Sequence, residues 1–215
     1  LEKTSNYEKL CEQWRLKFLE MNVRSLVDTV PGLELTEGYL TIVHFGRRFG
    51  LRTDTGHILA LDDDRPVSIY TRLNIYTLLG YAAPGARIKN EWVTFSELKD
   101  AGPFAKAFQQ SIVGPLALTF EGKPEAFEMA CRALGGIRLP SSGLSYQISA
   151  FDCIPMRFLF WDGDEEFPAQ ANVLFDRSAT DFIHVESTVT IAGEGLYYLA
   201  EAAGLELKGS PLLRP

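Results

Sequence analysis

The sequence predicts an α+β fold: an antiparallel β-meander plus a second group of short strands, packed by several helices. Three observations carry this. The hydrophobic spacing changes from a helical period to a period of two after Pro31-Gly32. Short turns then separate three β-rich runs, the pattern of neighbouring antiparallel strands. Helical patterns alone lie between these runs and a second β-rich region past residue 143, so strands and helices are grouped rather than alternating.

The first helix rests on Tyr7, Cys11, Trp14, Phe18 and Met21, at steps of four, three, four and three. Ser5 to Glu8 has the spacing of a capping box. Strands are predicted over residues 39–45, 49–53 and 57–61, with turns at Gly46-Arg47-Arg48 and Asp54-Thr55-Gly56. Asp62-Asp63-Asp64 ahead of Pro66 suits the first turn of a helix, where carboxylates oppose the positive dipole end. Ile69, Leu73, Tyr76 and Leu79 would face its core side. Thr94 and Glu97 form a second capping box, opening a short helix that stops at Gly102-Pro103. A longer helix from Phe104 is expected to bend or break at Gly114-Pro115, because Pro removes a backbone donor. Pro124 opens a helix with Phe127, Cys131 and Leu134 on one side, and Gly135-Gly136 closes it with a left-handed cap. Strands follow over residues 144–151, 156–161 and 172–176. Val185, Val189, Ala192, Leu196 and Leu199 hold helical spacing up to a stop at Gly204. No repeat or long linker interrupts the chain, which reads as a single globular domain over residues 1–215.

Composition excludes several function classes. Hydrophobic residues make up 46% and charged residues 23% of 215, ordinary globular usage that can bury a core without staples. The formal net charge is 21 − 28 = −7, and the longest basic cluster is Arg47-Arg48. Nucleic acid is therefore not the expected partner. No apolar run approaches the ~20 residues that span a bilayer, so no membrane partner is expected. The beginning of the sequence lacks a signal-peptide apolar region. Three widely spaced cysteines, Cys11, Cys131 and Cys153, suit a reducing cytoplasm, with the thiols acting as small core hydrophobes.

Several landmarks together carry a family resemblance. They are Glu37-Gly38-Tyr39-Leu40, Trp92-Val93-Thr94-Phe95-Ser96-Glu97-Leu98, Gly114-Pro115-Leu116-Ala117 and the dense stretch from Pro155 to Asp181. That stretch holds Phe160-Trp161-Asp162, Asp164-Glu165-Glu166-Phe167-Pro168-Ala169 and Val173-Leu174-Phe175-Asp176. The chain is similar to an uncharacterised prokaryotic domain-of-unknown-function family common in anaerobic bacteria and archaea. The resemblance covers nearly the whole chain and implies a stand-alone or appended domain with no established activity. Some relatives carry an iron–sulfur-type cysteine module. This chain has no clustered cysteines, so such a cluster is not implied.

The candidate chemistries each have a plainer structural reading. Asp162-Gly163-Asp164-Glu165-Glu166 fails the calcium-loop pattern, since its sixth and twelfth positions are Phe167 and Val173. It reads as a solvated turn, with a hard-cation site shared with Asp176 or Asp181 as the alternative. His44 and His57 lie in different candidate strands and could meet across the sheet, although zinc spacing is absent. His184 with Asp181 is a possible acid–base pair, but Asp181 stands three after Ser178, a capping position. Ser96 and Lys99 have Ser-x-x-Lys spacing, which the Thr94 capping box already explains. Gly193-Glu194-Gly195 lacks the third glycine of a dinucleotide fingerprint, because Tyr198 occupies its position. No cofactor is expected.

Arg157 and Trp161 fall on one face of an aromatic strand and could grip an anionic aromatic ligand, against the plainer reading of a covered sheet face. Trp161 leads into the acidic segment, so a cleft of Trp161, Asp164 and Asp176 would suit a small cationic or metal-bound ligand. The candidate ligand-binding residues are thus Arg157, Trp161, Asp164, Asp176 and His184, with no catalytic or metal residue assigned. The expected function is a non-catalytic binding or accessory domain in anaerobic metabolism, its partner an unknown small molecule or protein. The alternative is a small enzyme drawing carboxylates and His from residues 162–184, metal-assisted or not.

Overall fold

Helices α1 (Asn6–Leu19) and α2 (Val23–Thr29) lead into a four-stranded antiparallel sheet of order β1-β2-β3-β4. The computed structural model describes residues 6–209, so the Ser5 cap proposed from sequence lies outside the described residues. The strands are β1 (Glu34–Thr36), β2 (Tyr39–His44), β3 (Arg47–Arg52) and β4 (Ile58–Ala60). The meander thus gains a short first strand, β1, that its fully exposed three residues concealed in the hydrophobic pattern. Its central turn is Phe45-Gly46, one residue earlier than predicted, with His44 directly opposite Arg47.

Helix α3 (Ile69–Tyr81) begins after Ser68, whose side chain accepts from the Thr71 N–H. The three aspartates therefore lie outside the helix, contrary to the sequence reading. Asp62 binds Arg48, and Asp63 binds Arg47 and Arg65. An arginine guanidinium offers several charge-assisted donors, and it wins over a helix dipole that acts only across the first turn. Next come β5 (Trp92–Thr94) and a single 3-10 turn, Phe95–Glu97, where a fuller helix was expected. The capping box is present: Glu97 accepts from the Thr94 N–H at 2.8 Å.

Helices α4 (Ala105–Phe108) and α5 (Gly114–Phe120) are joined through a π-helical turn, Gln109–Val113. Pro115 cannot donate, and the chain widens just before it, with the Gly114 N–H reaching back to the Gln109 carbonyl. The predicted break at Gly114-Pro115 is thus a widened turn in one continuous path. Helix α6 (Pro124–Ala133) closes as predicted, with the Gly136 N–H on the Cys131 carbonyl at 2.8 Å.

The second sheet is also antiparallel, with order β5-β9-β8-β7-β6. Its remaining strands are β6 (Ile137–Arg138), β7 (Leu144–Phe151), β8 (Ile154–Trp161) and β9 (Gln170–Asp176). Helices α7 (Ala179–Phe182) and α8 (Val185–Ala202) end the fold. The two strand groups are separate sheets. They meet where the β2–β3 hairpin touches β7, through the Phe45 N–H and the Ala150 carbonyl at 3.0 Å. One buried apolar cluster includes Leu40 and Phe49 of the first sheet, Phe158 and Phe175 of the second, and Leu196 of α8.

Candidate functional site

The site is built on the tip of the β2–β3 hairpin. Phe45 and Gly46 have φ of 46° and 76°, the two positive values of a type I′ turn. Phe45 occupies a conformation that is uncommon for a bulky side chain. In exchange, the tight turn places His44 and Arg47 on one face of the hairpin. Helix α8 comes against this tip at Gly195. A Cβ there would lie 2.8 Å from Phe158 and 2.9 Å from Phe45, so only glycine permits the approach. The neighbouring residue, Glu194, is thereby carried into the core beside His44.

Glu194 is 3% exposed, and both of its oxygens are occupied. Oε1 accepts from Ser68 Oγ at 2.8 Å and Thr71 Oγ1 at 2.6 Å. Oε2 accepts from His44 Nε2 at 2.9 Å and Asn74 Nδ2 at 2.7 Å. The first turns of α3 supply three of these donors, because Ser68, Thr71 and Asn74 are spaced at threes along one helix face. Burial raises the Glu194 carboxyl, but hydrogen bonds from His44, Thr71 and Ser68, with the charge of His44, outweigh it and lower it overall. The other ring nitrogen, His44 Nδ1, lies 2.8 Å from the Ala150 carbonyl, which can only accept. Nδ1 therefore carries a proton. His44 thus links α8 to β7, with Nδ1 on the Ala150 carbonyl and Nε2 on Glu194. The Asn74 amide is oriented by Thr190 Oγ1, which donates to Asn74 Oδ1 at 2.6 Å.

Above this network lies an open pocket of about 480 Å³. Glu194 is the most buried residue of its lining and forms the floor. Ile69, Tyr70, Tyr197 and Tyr198 give apolar and aromatic wall, while Arg47, Arg65 and Glu201 bring charge. The Tyr197 and Tyr198 rings stand 5.8 Å apart at 66°, making a corner. Burial raises the Tyr198 phenol to about 12, so it stays protonated. Arg47 and Arg65 share one carboxylate, Asp63: Arg47 Nη2 binds Oδ1 at 2.8 Å, and Arg65 Nε binds Oδ2 at 2.9 Å.

The residues singled out from sequence lie elsewhere and apart. Arg157 stacks over Trp92, 3.8 Å from the ring centroid, so its aromatic partner is on β5 and not Trp161. Trp161 donates to Ser142 Oγ at 3.3 Å. Trp161 is opposite Gln170, and Asp176 lies six residues further along β9, about 20 Å away at strand rise. The structure therefore does not bring Trp161 and Asp176 into one cleft. Asp176 is buried and accepts from the Lys89, Glu91 and Ser178 N–H groups, tying the loop before β5 to β9. Asp164 is exposed and accepts from the Glu166 and Phe167 N–H groups in its own turn. His184 caps α8 by accepting from the Glu186 N–H, while Asp181 pairs with Lys89 at 2.6 Å. His57 sits beside Arg52 at the far end of β2 from His44, so the two do not meet. Among the described residues, no group of three or more His, Cys, Asp or Glu is placed to hold a metal ion.

The residue that sequence reasoning passed over is Glu194. As a sequence motif, Gly193-Glu194-Gly195 resembles only an incomplete nucleotide loop. The usable signal was a lone carboxylate within an otherwise apolar helical stretch, Ile191 to Leu199. Such a group is either at the surface or held by buried donors.

The chain belongs to a family described as a domain of unknown function (DUF3786), whose model matches residues 29–209. No curated protein and no solved structure matches it at a significant level. No helix among the described residues is long and apolar enough to cross a membrane.

Proposed function

We propose that this DUF3786 domain is a small-molecule binding module, with a ligand whose flat or aromatic body sits in the pocket over Glu194. The observation that carries this reading is the saturation of the floor. Both Glu194 oxygens and both His44 nitrogens are engaged within the protein. A general acid or base needs a position open to its substrate, and this pair has none. The network thus serves to hold α3, α8 and the hairpin tip in register around a pocket with an aromatic corner. Pockets of this size, mostly apolar with a few fixed polar groups, are the usual form of a ligand site.

The enzyme alternative over residues 162–184 has less support, since Asp176, Asp181 and His184 are each committed to a structural partner. An accessory role in anaerobic prokaryotic metabolism rests on the family resemblance. Three free, buried thiols fit a reducing cytoplasm.

The test is an amide chemical-shift titration with p-cresol, a neutral aromatic probe. Shifts should concentrate at Ser68, Ile69, Tyr197 and Tyr198, and Tyr197→Ala should abolish them in a protein that still unfolds cooperatively. Shifts centred elsewhere, or none up to the solubility limit, would overturn the reading.

A further inference from the structure

We infer that the ligand of this pocket carries a carboxylate, read by Arg47 and Arg65 in competition with the protein's own Asp63. The inference rests on the pocket reading above and names its ligand class. Two guanidiniums have about ten N–H donors between them, and one carboxylate has about four acceptor positions. Asp63 takes Arg47 Nη2, Arg65 Nε and Arg65 Nη2, at 2.8 to 2.9 Å. Glu201 stands 3.7 Å from Arg65 Nη1, too far for a hydrogen bond. Arg47 Nε is buried without a partner and closed off from solvent, and the Arg47 side chain also reaches the Tyr198 phenol. The open donor on the wall is therefore Arg65 Nη1, and both arginines line the pocket while Asp63 is outside its lining.

Asp63 has the chemistry of the ligand group proposed here. It is held well below the usual carboxylate range, above all by the Arg65 hydrogen bond, with burial opposing and Arg47 adding to it. It is therefore charged at any working pH and competes throughout. Asp63 lies on the segment joining β4 to α3, three residues before Pro66. A ligand carboxylate that takes over Arg65 would free this segment at the pocket mouth. Guanidinium–carboxylate pairing is directional and often bidentate, so the ligand's ring and its anion would be fixed together.

Three probes sharing one phenol ring separate the possibilities: 4-hydroxyphenylacetate, p-cresol and tyramine. On the intact protein, the anion should bind about tenfold tighter than neutral p-cresol, the scale of one charge-assisted hydrogen bond. Tyramine should bind most weakly. Asp63→Asn should strengthen 4-hydroxyphenylacetate binding several-fold and leave p-cresol unchanged. Arg65→Met should erase the anion's advantage, with p-cresol binding showing that the pocket is intact. Equal affinities for the three probes, tighter binding of tyramine, or weaker anion binding in Asp63→Asn would overturn this inference while the pocket reading stands. Binding of none of the three would overturn the pocket reading and this inference with it.

Discussion

Replacing Glu194 with Ala removes the acceptor for four donors at once, and the structure says which of them can recover. Ser68 is exposed and can turn to water, and Thr71 Oγ1 has Tyr198 Oη at 3.3 Å. His44 and Asn74 are fully buried and have no substitute acceptor for the lost bond. Each buried donor left unpaired costs about 1–3 kcal/mol, so the two together cost roughly 2–6 kcal/mol. We expect a loss of about 4 kcal/mol, a large share of the ~5–15 kcal/mol that holds a domain together. For a chain of this size, that lowers the melting temperature by roughly 8–16 °C. Glu194→Gln should cost far less, about 1–2 kcal/mol. Its oxygen can still accept from Ser68 and Thr71, and its amide can donate to a neutral His44. Asn74 can flip to accept as well, since the Thr190 hydroxyl has the Ser187 carbonyl at 2.9 Å as another acceptor. Urea denaturation of the three proteins reads these differences directly. A Glu194→Ala protein within about 1 kcal/mol of wild type would refute the claim that this carboxylate organises the site, because a loss that small needs water to satisfy both buried donors.

Further outcomes follow from the same geometry. Gly195→Ala should destabilise by about 1–3 kcal/mol, because its Cβ would meet the Phe158 and Phe45 rings; equal denaturation midpoints would contradict the close approach. Glu194 is lowered in the folded state, so the unfolded chain takes up its proton first as pH falls. Its contribution is then complete above about pH 4.3 and is lost below that, as pH drops through the folded value. Glu194→Gln should flatten stability against pH in this acid window, and unchanged slopes would count against an ionised Glu194. Burial raises the Cys11 thiol to about 11 and the Cys153 thiol to about 12. Native protein should therefore react with a thiol reagent at neutral pH only as fast as it unfolds, and fast labelling of either would be the opposite result.

The elements with strong local signals were legible in the sequence. The apolar stripe from Cys11 to Phe18, the β-formers of residues 39–45 and the paired glycines after α6 each report on their own neighbourhood, and each stands where the pattern put it. What the sequence could not show is pairing at long range. The Asp62-Asp63 run looked like a helix start because the arginines that claim it, Arg47 and Arg48, lie in another strand. Strand alternation puts Trp161 on the same face as Arg157, and only the placement of β5 beside β9 shows that Trp92 is the ring Arg157 stacks over. Glu194 and His44 are 150 residues apart, and no local period connects them. The site was missed because each of its groups has an ordinary local explanation: Ser68 as a helix cap, His44 as a strand residue, and Gly195 as a small helix residue.

The most direct measurement of the central claim is a crystal structure of the protein grown or soaked with p-cresol. The account predicts the ring in the corner of Tyr197 and Tyr198, with the Glu194 bonds to His44, Asn74, Ser68 and Thr71 unchanged beneath it. A ring bound away from this pocket, or a Glu194 that abandons those partners to bind the probe, would contradict it.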